Sequence, residues 1–129
     1  MIRVCTPQDK LFNYTEVEEL YNSCKDKLRD GEFEDVIKRT DFYAFYIAQT
    51  SELLGCIYYY LRGRRRFVNV FAHRKHHLLN LECFKESLKW YKSNIYAEII
   101  DNKCSSLGAL RCGFKKIRNN LYVYRRKQK

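Results

Sequence analysis

The sequence has few of the residues that separate domains. It contains one proline, Pro7, and five glycines in 129 residues. It has no stretch rich in glycine and serine, which would be typical of a linker. No apolar run is long enough to cross a membrane, and the first ten residues lack the apolar segment of a secretory signal. These absences predict a single domain over residues 1–129, no membrane partner and a cytoplasmic location.

Cysteine is present, but not in the spacing of a metal site or a disulfide framework. The six cysteines are far apart and none forms a C-x-x-C pair. Structural zinc needs closely spaced ligand pairs, and the nearest approach is His73, His76 and His77 with distant cysteines. Without a secretory signal, we therefore expect reduced thiols and no metal.

Acidic residues become scarce in the second half of the chain. Residues 1–61 hold 7 Lys and Arg against 11 Asp and Glu, a net −4, whereas residues 62–129 hold 18 against 4, a net +14. The two halves sum to the +10 of the whole chain. The second half therefore predicts an anionic partner, which could be a nucleic acid, an acidic protein surface or the phosphates of a nucleotide-like cofactor.

The first half predicts a strand, a helix and a hairpin. "IRVCT" at 2–6 alternates in polarity and is typical of a strand. Thr15 and Glu18 have the spacing of a capping box before a helical apolar period, so we expect a helix over about 15–29. Two runs rich in aromatic and β-branched residues, about 42–49 and 54–62, flank a polar turn and predict antiparallel strands.

The second half predicts two parallel strands joined by a helix. After the basic turn "RGRRR" at 62–66, the apolar run 67–72 predicts a strand. Leu81 begins a helical period that ends near Ser93, and "IYAEII" at 95–100 is again typical of a strand. Because a helix connects these strands within one sheet, they must be parallel.

The end of the chain predicts a short helix and a hairpin. The helix is expected to begin at Ser105 or Ser106 and to end at Gly113, and the hairpin to turn at 119–120. Its last strand, "LYVYRR", is expected to be an uncovered sheet edge that could pair in a dimer. The order β-α-β-β-β-α-β-α-β-β predicts an α/β (α+β) fold with a mainly antiparallel sheet and one parallel βαβ unit.

The loop "HRKHHLLN" at 73–80 leaves the carboxyl end of a predicted strand and enters a helix. Backbone N–H groups and the positive end of the helix dipole meet at such a turn, and Arg74 and Lys75 add charge. The pattern indicates an anion site that suits a phosphate or pyrophosphate.

The order of elements and "DNKCSSLGALRCGF" at 101–114 resemble the acetyl-CoA-dependent N-acetyltransferase superfamily, which has the GNAT fold. Members often carry an asparagine just after the fifth strand and a short helix that ends in Gly-Phe, and Asn102 and Gly113-Phe114 match. The resemblance extends over nearly the whole chain, by order of elements more than by identity. It implies helices on both faces of the sheet, acetyl-CoA or another acyl-CoA as cofactor, and an amine acceptor on a small molecule or protein.

In that family the CoA pyrophosphate binds the loop after the fourth strand, which is 73–80 here. The family's loop usually contains glycines, and this one has none, so it must cradle the anion through side chains or not at all. The cofactor-binding residues that the resemblance implies are Phe71, Ala72, His73, Arg74, Lys75, His76, His77 and Asn102.

The resemblance also directs the search for catalytic residues. Many members place a proton-donating tyrosine four residues before the glycine of Gly-Phe, and that position is Ala109 here. Tyr59 or Tyr60 on the aromatic hairpin could face the cleft instead, with Tyr59 chosen as the candidate. Glu98 on the fifth strand could act as general base directly or through a water. Glu98 could equally be a solvated or ion-paired residue.

Three functions are consistent with the sequence. The first is an acyl-CoA-dependent N-acyltransferase with a divergent CoA loop. The second is a catalytically inactive GNAT-fold protein of virion assembly or interaction, because small phage-encoded GNAT-like proteins are similar in length and in the Asn and Gly-Phe ending; host cytoplasm or virion would then be its location. The third is a basic nucleic-acid-binding module that uses "RGRRR" and the histidine loop.

Overall fold

The computed structural model describes residues 1–100 and 103–126 of the chain. The strands in these residues are β1 (Ile2–Cys5), β2 (Asp41–Ile47), β3 (Leu53–Arg62), β4 (Arg65–Ala72), β5 (Ile95–Glu98), β6 (Lys115–Arg118) and β7 (Leu121–Tyr124). The α-helices are α1 (Tyr14–Leu28), α2 (Phe33–Arg39), α3 (His77–Ser87) and α4 (Lys103–Arg111). Short 3-10 helices, Arg74–His76 and Leu88–Trp90, precede and follow α3.

The strands form one sheet in the order β1-β2-β3-β4-β5-β7-β6. Each neighbouring pair is antiparallel except β4 and β5, which are parallel and are joined through α3. The predicted α/β fold with a mainly antiparallel sheet and one parallel βαβ unit is confirmed. The expectation of an uncovered last strand is wrong, because β7 pairs with β5 on one side and β6 on the other.

The sheet carries an apolar core on each face because side chains alternate along its strands. On β3, Tyr58 points to the core beneath α1 and α2, whereas Tyr59 points to the core beneath α3 and α4. Both tyrosine side chains are fully buried. Helices therefore cover both faces, as the resemblance to the GNAT fold implied.

Helix α1 begins one residue earlier than predicted and uses a different cap. The side chain of Asn13 accepts a hydrogen bond from the backbone N–H of Glu16 at 3.1 Å. The hydroxyl of Tyr46 on β2 fixes Asn13 by accepting from its backbone N–H at 3.0 Å. The capping box predicted at Thr15 is therefore wrong, since a tertiary contact to the sheet selects Asn13.

Helix α2 was not predicted from the sequence. It has seven residues, and none of the described side chains caps it with a hydrogen bond. Phe33 and Val36 are buried against the sheet, which stabilises a segment too short to show a helical period of its own. The loop that connects α1 to α2 contains Asp30.

Helix α3 begins at His77, four residues before the predicted start at Leu81. Its first turn lies tightly against the hairpin of β3 and β4. A Cβ atom at Gly55 would lie 2.6 Å from Oδ1 of Asn80 and 2.7 Å from Cβ of Ala72. Glycine at position 55 thus lets the amino end of α3 approach the sheet.

Candidate functional site

A cleft opens between β4 and β5. The two parallel strands pair only at Arg66 with Ile95 and at Phe67 with Tyr96. Beyond this point β4 continues beside β3, and β5 continues beside β7 as far as Glu98. The strands therefore diverge towards their carboxyl ends.

The divergence leaves backbone hydrogen-bonding groups of β4 without a partner strand. Residues 68–72 pair with β3 on one side only, because β5 has already separated on the other. Backbone N–H and C=O groups at such an edge need partners. They can bind an extended ligand that carries amides, as an added strand would bind.

The amino end of α3 lies at the mouth of this cleft. The 3-10 helix Arg74–His76 runs directly into α3, and within the described part of the chain no side-chain hydrogen bond caps either of them. Backbone N–H groups at such a helix start can bind an anion. Hydrogen bonds from Asn80 fix the loop to β3. Nδ2 of Asn80 donates to the carbonyls of Leu54 at 3.1 Å and of His76 at 3.0 Å. His73 also donates its backbone N–H to the carbonyl of Leu54 at 3.1 Å.

Part of the loop's positive charge is already paired. Lys75 Nζ lies 3.4 Å from Oε1 of Glu52, and Nε2 of His76 bonds to the other carboxylate oxygen. The hydrogen bond from His76 is the main cause that lowers the pKa of Glu52 below its ordinary value. Arg74 is exposed and joins no ion pair within the described ranges. It is the loop cation most available to a ligand.

The structure brings most of the predicted cofactor-binding residues together at this end of β4. Ala72 and His73 are half-buried at the strand end, and Arg74, Lys75 and His77 are exposed on the loop.

Phe71 and Asn102 differ from the rest of the predicted cofactor-binding set. The Phe71 ring packs in the core beneath α1, with its centroid 5.4 Å from that of Tyr21. Asn102 lies outside the described residues.

The two predicted catalytic residues lie on opposite faces of the sheet. Glu98 ends β5 on the α1 side, and its Oε2 lies 3.8 Å from Nη1 of Arg62. Tyr59 is buried beneath α3, where its hydroxyl lies 2.6 Å from Oγ of Ser87. Because Ser87 donates its own proton to the carbonyl of Phe84 at 2.7 Å, Tyr59 is the donor in that pair. Burial is the main cause that raises the pKa of Tyr59, so its hydroxyl stays protonated.

A third carboxylate, missed in the sequence, lies over β3 and β4. Oδ2 of Asp30, in the loop between α1 and α2, accepts hydrogen bonds from the hydroxyl of Tyr58 at 2.6 Å and from Nδ2 of Asn69 at 2.5 Å. Tyr58 and Asn69 are cross-strand neighbours on β3 and β4. Burial, and then the hydrogen bond to Asp30, raise the pKa of Tyr58, so the phenol remains a donor. Nothing in the local sequence marks Asp30, because its partners lie 28 and 39 residues away.

The basic turn 62–66 is largely packed against aromatic rings. The guanidinium carbon of Arg62 lies 4.5 Å from the ring centroid of Phe67, that of Arg65 lies 4.7 Å from Tyr96, and that of Arg66 lies 4.1 Å from Tyr91. These stacked arginines support the sheet. Arg62 also pairs with Glu98 and Arg66 with Asp41, so two of the four arginine charges of the turn are partly neutralised, whereas Arg64 and Arg65 stay exposed.

No helix among the described residues is long and apolar enough to cross a membrane. The same residues contain no group of three or more His, Cys, Asp or Glu side chains that could hold a metal ion.

No protein-family model matches the sequence, and no curated protein matches it significantly. The similarities are to solved structures. An acetyltransferase from Streptococcus agalactiae is 14% identical with a TM-score of 0.74, over 96% of this chain and 98% of that one. An N-acetyltransferase from Staphylococcus aureus is 13% identical with a TM-score of 0.71, over 97% of each chain. A GNAT-family acetyltransferase from Bacillus anthracis is 12% identical with a TM-score of 0.70, over 96% of this chain and 94% of that one.

At these identities the likeness defines the fold alone. The chain has the GNAT fold, the architecture of the acetyltransferases just named. The resemblance to the GNAT superfamily, drawn from the order of elements, is therefore confirmed for the fold.

Proposed function

We propose that the protein is an acyl-CoA-dependent N-acyltransferase with a divergent CoA loop. The observation that carries the proposal is the cleft between β4 and β5, with a strand edge at 68–72 that β5 does not pair and, at its mouth, a helix start that no described side chain caps. An extended molecule with amides along its length and a pyrophosphate at one end fits both features.

Two features of the cleft suit acyl-CoA, the edge of β4 and the start of α3 with Arg74, whereas the lack of glycine in the loop is unlike the usual CoA loop. The edge of β4 can bind the amides of the pantetheine arm, and Arg74 with the α3 N–H groups can bind the pyrophosphate. The loop has no glycine at 73–80, so side chains limit how closely the phosphates approach the backbone. When bound, the cofactor would supply an acyl group activated as a thioester.

The proposed reaction is acyl transfer to an amine. The amine nitrogen attacks the thioester carbonyl, a C–N bond forms and the C–S bond breaks. The proton of the amine passes to Glu98, directly or through a water, and the leaving thiolate takes a proton. Tyr59, the donor predicted from the sequence, is fully buried and bonded to Ser87, so it can serve only if that hydrogen bond opens towards the cleft.

The test is a calorimetric titration with acetyl-CoA. We expect the wild type to bind and the Arg74→Ala/Lys75→Ala variant to bind at least about tenfold more weakly. The matched control is Arg64→Ala/Lys92→Ala, which removes the same charges from exposed residues at the opposite end of β4 and β5. Absence of binding by the wild type at millimolar ligand would contradict the proposal. Equal losses in both variants would show that net charge, and not the loop, attracts the ligand.

A second candidate is a GNAT-fold protein without catalysis that serves in assembly or interaction, such as the phage proteins that the sequence resembles. One observation favours it: Glu52 already pairs with Lys75 and forms a hydrogen bond with His76, two of the loop residues predicted to bind the cofactor. This candidate predicts no acetyl-CoA binding in the same titration. Acidic protein or nucleic-acid partners would then be sought through the basic half of the chain.

A further inference from the structure

We infer that the sheet carries a binding surface for single-stranded nucleic acid at the end of β4 and β5 opposite the loop 73–77. This surface, the arginine–ring platform, consists of Arg62, Arg65, Tyr60, Phe67 and Tyr96. The inference goes beyond the proposed acyl transfer and does not rest on it. It also differs from the nucleic-acid module expected from the sequence, because the loop histidines take no part in it.

Three aromatic rings form a row across three neighbouring strands. Tyr60 on β3 pairs with Phe67 on β4, and Phe67 pairs with Tyr96 on β5, so the three side chains share one face of the sheet. The ring centroids of Tyr60 and Phe67 are 5.8 Å apart, and those of Phe67 and Tyr96 are 5.7 Å apart. Tyr60 packs against the core beneath α1, whereas Phe67 and Tyr96 belong to neither core of the described chain. The row therefore continues past the edge of the core that α1 and α2 cover.

Two guanidinium groups lie over this row. The guanidinium carbon of Arg62 lies 4.5 Å from the ring centroid of Phe67 and 5.9 Å from that of Tyr60, and that of Arg65 lies 4.7 Å from that of Tyr96. Both arginines are exposed, although the Phe67 ring beneath is only 4% exposed. Each guanidinium therefore covers a ring with one side and faces solvent with the other. A guanidinium plane fixed in this way offers a flat surface to a base and N–H donors to a phosphate.

Further cations surround the platform at this end of the sheet. The chain that leaves β7 returns to it, because the backbone N–H of Arg126 donates to Oδ1 of Asn94 at 2.9 Å, just before β5. Exposed cations in these turns and chain ends are Arg64, Lys92 and Arg125. None of these three joins an ion pair within residues 1–100 and 103–126. They are free to contact the phosphates of a strand that crosses the platform.

Two carboxylates lie near the platform, and neither cancels its charge. Glu98 pairs with Arg62 over 3.8 Å, and both side chains are about half exposed, so a phosphate can displace the pairing at little cost. Asp30 acts on the Tyr60 phenol, but Arg39 acts on it in the opposite direction and bonds to the Asp30 carbonyl. Each carboxylate thus has a guanidinium beside it. The cations left in excess are Arg64, Arg65, Lys92 and Arg125.

The platform fits a single strand better than an acidic peptide or a duplex. The bases of a single strand stack on flat groups while its phosphates contact cations. An acidic peptide would use the charges and leave the flat surfaces unused. A duplex keeps its bases stacked on one another, out of reach of such a surface.

The experiment measures fluorescence anisotropy of labelled strands of about 12 nucleotides with the full chain. The probes are oligouridine, oligothymidine and a matched abasic strand, which keeps the phosphates and lacks the bases. We expect both base-bearing strands to bind at low salt, and the abasic strand to bind at least about fivefold more weakly. The tighter of the two base-bearing strands identifies RNA or DNA as the preferred ligand.

The variants locate the binding. Arg62→Ala/Arg65→Ala should lower the affinity for the base-bearing strands at least about tenfold and flatten its dependence on salt. Arg62→Lys/Arg65→Lys keeps the charge but loses the planar groups, and should lower the affinity about three- to fivefold. The control Lys85→Ala/Arg111→Ala removes two charges from exposed positions on α3 and α4, which cover the other face, and should change it less than about twofold.

Four results would overturn the inference. Absence of binding by the wild type at low salt is one, and equal affinities of the wild type for abasic and base-bearing strands is another; both hold whether or not the variants fold. Equal losses in the two alanine variants would show that diffuse charge attracts the strand. Tighter binding of an oligoglutamate of the same length would assign the surface to an acidic protein. Acetyl-CoA binding is measured separately, and its failure would leave the platform in place.

Discussion

Glu52 is the residue that most directly opposes an anionic ligand at the loop. It lies at the start of the β3 hairpin and pairs with both Lys75 and His76. A bound pyrophosphate must compete with this carboxylate for the Lys75 ammonium and for the His76 ring nitrogen. The pairing therefore lowers affinity unless the ligand displaces it.

Replacing Glu52 by glutamine should strengthen acetyl-CoA binding. Glu52→Gln keeps the shape of the side chain and removes its charge, so Lys75 and His76 become free for phosphate. We expect affinity to rise about three- to tenfold by calorimetry. Glu86→Gln, which removes the exposed partner of Lys89, should change it less than about twofold. A weaker complex with Glu52→Gln would mean that the pairing shapes the loop for binding.

The hydrogen bond between Glu52 and His76 predicts that the stability of the protein depends on pH. The hydrogen bond from His76 lowers the pKa of Glu52 in the folded protein, so its contribution is complete above the ordinary carboxyl pKa and is lost as the pH falls through the lowered value. The urea midpoint of the wild type should therefore exceed that of Glu52→Gln at pH 6, and the difference should shrink as the pH falls from the ordinary carboxyl pKa through the lowered one. A difference that grows on acidification would contradict this assignment.

Replacing Tyr59 by phenylalanine distinguishes a structural role of its hydroxyl from a catalytic one. Tyr59→Phe removes a buried hydrogen bond to Ser87 and should cost about 1 kcal/mol of unfolding free energy in urea titrations. The control Tyr122→Phe, a buried residue with no hydroxyl hydrogen bond among those described, should cost less than about half of that. If Tyr59 donates the proton to the thiolate, kcat falls while the affinity for acetyl-CoA stays the same; an unchanged kcat would leave it a structural residue.

At the scale of elements, the tight packing of α3 against the β3–β4 hairpin fixes the position of the loop 73–77. Gly55→Ala would place a methyl group against Asn80 and Ala72, at separations that no real Cβ contact shows. We expect a loss of about 1–3 kcal/mol in unfolding free energy and weaker acetyl-CoA binding. Gly108→Ala in α4 is the control, because its nearest neighbour is 3.9 Å away; it should stabilise the protein by up to about 1 kcal/mol. Equal stabilities of the two variants would show that the helix can move away from the hairpin.

The elements that could be predicted from the sequence are those with a period of their own. The aromatic hairpin and the apolar runs before and after α3 lie where the pattern placed them, and their parallel pairing followed from the helix between them. Helix α2 could not be predicted because the sheet supplies its stability. Asp30 could not be predicted because its role comes from partners on β3 and β4.

At the scale of the whole molecule, the fold gives the charge asymmetry of the sequence a spatial meaning. The net −4 of residues 1–61 belongs to β1, β2, nearly all of β3, α1 and α2, and the net +14 of residues 62–129 to the rest. The cleft between β4 and β5 lies in the basic half. An anionic cofactor in this cleft would therefore meet the half of opposite sign.

The central claim is that acyl-CoA binds in the cleft between β4 and β5. The most direct measurement is backbone amide hydrogen exchange by NMR, with and without saturating CoA. We predict slower exchange and shifted signals for amides of residues 68–72 that face the cleft, and for the loop 73–77. Effects confined to the basic turn 62–66, or no effect at all, would contradict the claim.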